Sequence, residues 1–352
     1  VSDTKINVGF DPGQVMNQIH PELATNLTRN RPEIMTYTWP EYFDWLHKKP
    51  LKWPNPPPIQ PISAKASIRP LPDIKVVFWD FYGTIIRVSD GELVKLVNDD
   101  FRMQIAIEKT LEEFSMWQSM TRKPGAPWKY LLNQYQESLD QLTMTRSCSS
   151  GDTPLVCLSE IWSRILDRLM KKDFSWDRTI HGDQERLAQH IGFFYHLSLQ
   201  GVEASPEICE TLLTLNNRGL RQAVLGDAEE FSLPHFLWLL REKTGGEVPV
   251  GLFDSALTLM SHNLGLRKSS QTFYKTVEKQ LSEQRIQPHQ VLSVSTRLEG
   301  DLELAKQRGW KTALLANDRL SLRASSSQLK EEHLKPDRLL TSLRQVIDLI
   351  SP

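Results

Sequence analysis

Only three cysteines, Cys148, Cys157 and Cys209, occur in the 352 residues, and none forms a Cys-x-x-Cys pair. A scattered, odd-numbered set builds neither a disulfide framework nor a zinc site of recognisable spacing, and it suits a reducing compartment. No stretch approaches the roughly 20 uninterrupted apolar residues that span a bilayer, so no membrane association is expected. Charge of one sign is also missing. Forty-two Lys plus Arg stand against 43 Asp plus Glu, a net charge of -1, which supplies no general attraction to nucleic acid or anionic lipid. The short cluster Lys48, Lys49 and Lys52 is too small to change that, and no nucleic-acid partner is expected. Glycine-rich phosphate loops of the GxGxxG or GxxxxGK[ST] kind are absent, and His181, His190 and His196 lack the HExxH spacing of a zinc hydrolase, so they are expected to be packing residues. The opening residues VSDTKINVGF show no basic segment followed by an apolar core. Together with the cysteine usage, this gives a cytoplasmic expectation.

What is present is the composition of a globular chain, 39% hydrophobic and 24% charged, long enough for two compact units or one domain with a large insertion. Residues 1–72 stand apart, because nine of the 21 prolines fall between Pro40 and Pro72. Proline removes amide donors and favours extended backbone, so this Pro/Trp-rich N-terminal arm is expected to lack helices and central strands. Trp39, Tyr42, Phe43, Trp45 and Trp53 are costly to leave in water, so the arm either lies on the body of its own chain or clasps a protein partner.

From Ile74, the run IKVVFWDFYGT reads as a buried strand ending in a turn. Residues 90–204 carry long helical patterns: LVKLVNDDFRMQIAIEKTLEEFSMW, LSEIWSRILDRLMKK and QERLAQHIGFFYHLSL. They are separated by polar loops around Pro124–Pro127 and Ser147–Pro154. Beyond Pro206 the periods alternate. Helix ICETLLTLNNRG is followed by strand LRQAVLG, helix FSLPHFLWLLREK, a short strand near Gly251–Phe253 and helix TFYKTVEKQLSEQ. Strand VLSVST, helix LELAKQRG and strand KTALLA come next, and KPDRLLTSLRQVIDLI closes the chain with a short element and a helix. Alternation of this kind implies a mostly parallel sheet covered by helices. The core therefore comprises residues 73–89 and 205–352, and residues 90–204 are a helical insertion.

Ligands of open α/β sheets bind outside the carboxyl ends of the strands. There the sequence delivers Asp80, Tyr82 and Thr84, then Gly226 and Asp227, then Arg267 and Lys268, then Ser295, Thr296 and Asp301. A carboxylate, a lysine and hydroxyls converging on one sheet edge suit covalent catalysis, with Asp attacking and Lys neutralising its charge and that of the leaving group.

Over about residues 73–352 these motifs resemble the haloacid dehalogenase-like hydrolase superfamily. They stand here as VVFWDFYGT (76–84), LGLRKSSQTFYKTVEKQL (264–281) and VSTRLEGDLELAKQRGWKTALL from Val294. The resemblance implies an α/β fold: a Rossmann-like, mostly parallel sheet with an inserted helical cap domain that closes over the site. It makes Asp80 the nucleophile of a covalent aspartyl-ester intermediate and Lys268 its charge partner, with Asp301 orienting Lys268 or the hydrolytic water. The Asp-x-Tyr-Gly-Thr form is similar to the 2-haloacid dehalogenase branch, whose leaving halide needs neither a proton nor a metal. Tyr274, six residues after Lys268, and Thr296 match the positions of an active-site Tyr and Ser in that branch.

Tyr82, Thr84, Gly226, Asp227, Tyr274 and Thr296 are then expected around a small-molecule substrate. A phosphatase-like member would instead hold Mg²⁺ through Asp80 and Asp301; a dehalogenase-like one needs no cofactor. The sequence departs from both patterns: Tyr82 replaces the phosphatase acid, Thr296 replaces the first acid of the fourth motif, Gly226–Asp227 replaces Ser-Asn, and Leu298 replaces Asn. For the branch's early cap arginine, Arg87 and Arg102 are matches by position only, each expected in an exposed, salt-bridging or solvated role. The favoured reading is a metal-independent, dehalogenase-like hydrolase; a Mg²⁺-dependent phosphatase with degraded motifs, or a catalytically inactive binding or regulatory protein, are the alternatives.

Overall fold

The computed structural model describes residues 36–120, 125–246 and 248–350; the first part of the arm, residues 1–35, and Pro124 lie outside them. The arm corrects one expectation, because Trp39–His47 forms a helix, α1. Pro40 occupies its first turn, where a missing amide hydrogen costs nothing. Glu41 Oε2 accepts from the Thr38 amide at 2.7 Å, which closes the helix start. Tyr42, Phe43 and Leu46 of α1 are buried. Burial of a side chain such as Phe43 contributes about 1.5–3 kcal/mol. Of the two expectations for the arm, packing on its own chain is the one observed for its described part.

The strand expected at VVFW is β1 (Val76–Trp79), with all four residues buried, as in a strand covered on both faces. After the turn at Asp80 comes β2 (Ile86–Val88), which pairs antiparallel with β3 (Val202–Ala204). Between these two strands lies the helical insertion: α2 (Asp100–Glu113), α3 (Pro127–Thr145), α4 (Leu158–Met170), α5 (Arg178–His181) and α6 (Gln184–Leu199). The helical pattern from Leu93 is realised only from Asp100, because the Asp99 side chain caps α2 by accepting from the Arg102 amide at 3.0 Å. Residues 93–98 are therefore irregular.

Beyond β3 the alternation is as expected: α7 (Ile208–Asn217), β4 (Arg221–Gly226), α8 (Ser232–Thr244), β5 (Leu259–Met260), α9 (Ser261–Leu264) and α10 (Gln271–Glu283). Next come β6 (Val291–Ser295), α11 (Glu303–Gln307), β7 (Lys311–Leu315), β8 (Arg338–Leu340) and α12 (Val346–Leu349). The six-stranded sheet runs β5-β4-β1-β6-β7-β8, parallel at every pairing. The fold is thus α/β and Rossmann-like, with an inserted helical segment. The strand expected near Gly251–Phe253 is a turn instead. Leu252 donates to the Pro249 carbonyl at 3.1 Å and Gly251 has φ +76°, so the edge strand forms further on, at Leu259–Met260. Among the described residues no helix is long and apolar enough to cross a membrane.

Where α1 meets α6 and α8, the histidines are packing residues, as expected. The Tyr42 and His190 rings stack at 3.7 Å, and His181 and His190 share an Nδ1–Nδ1 hydrogen bond of 3.0 Å. Burial lowers the pKa of His181 to about 4, with Lys49 adding to the effect. Burial likewise lowers His190 to about 2, helped by Arg186, and His196 and His235 to about 3. A histidine held neutral in the fold takes up its proton more readily in the unfolded chain, near 6.5. Its contribution to stability is therefore complete above pH 6.5 and is lost as the pH falls through the folded values. The urea midpoint is expected to be flat above about pH 6.5 and to drop steeply toward pH 4. Denaturation followed by tryptophan fluorescence across that range checks this.

Candidate active site

Asp80 continues β1, its amide donating to the Val294 carbonyl at 2.9 Å, so its carboxylate emerges at the carboxyl edge of the sheet. The turn behind it is tight: Ile85 and Ile86 both donate to the Phe81 carbonyl, at 3.0 and 3.1 Å. Gly83 has φ +90°, and a Cβ there would lie 2.5 Å from the Gly91 carbonyl oxygen, so only glycine fits. The turn carries Thr84 back over Asp80, where its hydroxyl donates to Asp80 Oδ2 at 3.2 Å and accepts from the Thr296 amide at 3.2 Å.

Lys268 arrives from the loop before α10. Its backbone amide donates to Asp227 Oδ1 at 2.8 Å, and its ammonium lies 2.7 Å from Asp80 Oδ1 and 2.9 Å from Asp301 Oδ2. Ser295, the last residue of β6, donates its hydroxyl to Asp301 Oδ2 at 2.8 Å. All three charged side chains are nearly buried. Burial alone would lower the Lys268 pKa, but the charges of Asp301 and Asp80 outweigh it and hold the ammonium above the ordinary lysine range. Burial raises the Asp301 carboxyl to about 6, opposed by Lys268 and Arg297 and reinforced by the charge of Asp80.

These groups form the floor of a cavity of about 700 Å³ between sheet and insertion, walled by Leu93, Val94, Leu96, Leu139 and Leu155. Asp80, Tyr82, Asp227, Lys268 and Asp301 line it. Tyr82 is held by a 2.9 Å hydrogen bond between its hydroxyl and Ser232 Oγ. Burial pushes its phenol above the ordinary range, so it stays neutral and is a poor proton donor.

Four expectations for substrate contact are corrected, since Thr84, Tyr274, Thr296 and Gly226 do not line the cavity; Thr84 is fully buried behind Asp80. Tyr274 is 1% exposed; helical period puts it on one stripe with Val277 and Leu281, and its ring packs on Trp310 and Arg308. Thr296 is buried, and its hydroxyl faces Gly83. Gly226 backs onto Phe81, whose Cβ would lie 2.8 Å from a Cβ at position 226, so the serine of the family pattern has no room. Arg102 pairs with both oxygens of Asp90 at 2.9 and 2.8 Å. Arg87, contrary to the exposed role expected, is buried and donates to the Pro57 carbonyl at 2.6 Å. Neither arginine lines the cavity. Arg297, Glu92 and Lys95 do. Of these, only Arg297 carries a sequence signal, its place just past a strand end.

Magnesium requires oxygen ligands in near-octahedral array, with one or two carboxylates beside water and phosphate. Here the Lys268 ammonium bridges Asp80 and Asp301, Asp227 is engaged by the Lys268 amide, and Thr296 stands in place of an acid, a donor set poorly matched to a divalent cation. Among the described residues, the group of acid and thiol ligand atoms within 4.8 Å of one another lies elsewhere, at Cys157, Glu229 and Glu230. There Glu229 is already paired with Lys95 and with the Leu158 amide at 2.8 Å.

An aspartate on the central strand, a lysine from the loop before α10 and an aspartate beyond β6 meet at the carboxyl edge of a parallel sheet whose first crossover carries a helical insertion. The fold is α/β and Rossmann-like, with a helical insertion after the first strand. Solved structures of similar fold include a 2-haloacid dehalogenase from Pseudomonas syringae pv. Tomato DC3000, 16% identical, with TM-score 0.45 over 78% of this chain and 97% of that one. Another is a predicted phosphoglycolate phosphatase from Haemophilus somnus 129pt, 16% identical, with TM-score 0.39 over 79% and 98%. A HAD-hydrolase from Bacillus subtilis bound to magnesium is 10% identical, with TM-score 0.40 over 79% and 99%. These likenesses concern the fold alone. No family model matches the chain, and no curated protein matches it.

The contact between Gly226 and Phe81 gives a direct test. Gly226→Ser is expected to destabilise the protein by about 1–3 kcal/mol through overpacking. Because the near atoms are the Cβ and backbone of Phe81, which alanine keeps, Gly226→Ser should cost as much in a Phe81→Ala chain as in the unmodified one, read from urea denaturation of the single and double variants.

Proposed function

We propose that the protein is a metal-independent hydrolase of a small molecule, using Asp80 as nucleophile on a carbon whose leaving group departs as a stable anion, as a halide does. The observation that supports this reading is the Lys268 ammonium set between Asp80 and Asp301 on the cavity floor. It pairs with the Asp80 carboxylate and positions it, and it occupies the space between the two acids. The neutral, hydrogen-bonded Tyr82 points the same way. With no acid two residues after the nucleophile, a leaving group that needs no proton is the better match.

In the first step an Asp80 oxygen forms a bond to the substrate carbon as the carbon–halogen bond breaks, its electron pair leaving with the halide. In the second, water adds to the carboxyl carbon of the resulting ester and a proton passes to Asp301. The acyl–oxygen bond then breaks, the departing alkoxide takes that proton, and the re-formed Asp80 carboxyl loses its own proton to solvent. The insertion walls exclude bulk water from the ester.

Halide release from short 2-halo acids is expected to persist in the presence of a chelator. It should fall roughly 10⁴-fold or more in Asp80→Asn. Phosphate release from monoesters that requires Mg²⁺ would move the protein to the phosphatases. Release of neither ion, with both proteins folded, would make it a binding protein. The pH dependence is a second check. Because Asp301 accepts a proton only when ionised, turnover should decline as the pH falls through about 6, in a pH–rate profile of the unmodified protein.

A further inference from the structure

The cavity floor carries one charge pair that the proposed reaction of Asp80 does not use. Arg297 reaches the cavity, and its guanidinium interacts electrostatically with both Asp301 and Asp80. Its partner is Glu92, with 3.0 Å between Nη2 and Oε2 and side chains 38% and 39% exposed. Glu92 belongs to the irregular stretch between β2 and α2, not to a rigid element. Its other oxygen faces Arg323 Nη2 at 3.5 Å. Arg323 is itself anchored, donating to the Leu320 carbonyl at 2.7 Å and the Asp90 carbonyl at 3.1 Å.

Five acids line the cavity, Asp80, Glu92, Asp140, Asp227 and Asp301, against four bases, Lys95, Arg267, Lys268 and Arg297, so with Glu92 in place the lining carries one surplus negative charge. An incoming anion is repelled while Glu92 stays. If the anion takes its place, the local balance is unchanged and the guanidinium keeps a planar, two-oxygen partner. Of the other cations of the cavity, Lys268 is committed to Asp80 and Asp301 and Lys95 to the buried Glu229; Arg267 also lines the wall but is not among the charges that act on Asp301, as Arg297 is.

We propose that Arg297 is the specificity-determining residue of this cavity and binds the carboxylate of a small ligand. Glu92 holds that position when no ligand is bound and passes to Arg323 when one arrives. The inference rests on the cavity assigned under Proposed function, but not on turnover there.

The test is calorimetric titration of the full chain with 2-hydroxypropanoate, an unreactive carboxylate, and with its neutral amide. Arg297→Gln is expected to weaken binding of the acid at least about tenfold, whereas Glu92→Gln, which removes the internal competitor, strengthens it several-fold. Arg297→Lys, which keeps the charge without the planar pairing, falls between Arg297→Gln and the unmodified protein, and the amide responds to none of these changes. Equal binding of acid by Arg297→Gln and the unmodified protein, no gain in Glu92→Gln, or no binding of the acid to any of the proteins overturns the proposal. Carboxylate binding in the expected pattern without halide release supports Arg297 as the anion site and removes only the Asp80 reaction. Halide release with a KM that ignores Arg297→Gln does the reverse.

Discussion

Three ionised groups are buried within hydrogen-bonding distance of one another at the end of β1, and the Lys268 ammonium is the one that makes the other two tolerable. Removing a carboxylate from water costs several kcal/mol, and only a close, well-oriented counter-charge offsets that. The geometry around Lys268 meets the condition from several elements at once. Asp227, following β4, fixes its backbone, Asp80 comes directly from β1, and Ser295 at the end of β6 orients Asp301. Strand order and register thus converge on a single nitrogen atom.

The departures from the family pattern form a connected set. The Cβ and backbone of Phe81 occupy the space that a side chain at position 226 would need, so the close approach of the turn after Asp80 to the end of β4 is what calls for glycine there. Tyr82 turns its hydroxyl to Ser232 at the start of α8, and Ser232 in turn accepts from the Glu229 amide at 2.9 Å. The position that would supply an acid has become part of the packing between β1 and α8. The carboxyl edge thus carries a charge cluster with packed groups rather than further acids beside it.

How much of this was legible in the sequence depends on the range of the interaction concerned. β1 is a continuous apolar run and β6 a Val- and Leu-rich one interrupted by serine; both could be read directly, as could Asp80, Lys268 and Asp301 from their positions at or beyond strand ends. Two-residue β5 carries no period, and the turn at Pro249–Leu252 imitates a strand in composition alone. α1 was hidden because prolines were counted rather than placed, and one proline at a helix start is no obstacle. The spacing of Tyr274 from Lys268 is realised beside the charge cluster, where its hydroxyl donates to the Asp301 carbonyl at 3.5 Å, whereas its helical phase, shared with Val277 and Leu281, keeps it out of the cavity. The Arg297–Glu92 pair joins residues 205 positions apart, which no local pattern reveals.

The insertion is fastened to the sheet domain at separated points. The β2–β3 ribbon is one. The stretch before α4 is another, with Leu155 donating to the Gly265 carbonyl at 2.9 Å and Arg267 to the Thr153 carbonyl at 2.8 Å. α1 is a third, since Phe43 packs on Phe193 of α6 while Asp44 accepts from Trp238 of α8 at 2.7 Å. A body attached along one line can swing like a door, whereas one pinned at a triangle of points is a fixed wall. Tilting the insertion away would break backbone pairing right beside Lys268 and unstack the aromatic rings of α1 together. The chamber above Asp80 is therefore walled by chain that hydrogen bonds and ring contacts tie to the sheet domain at three separate places.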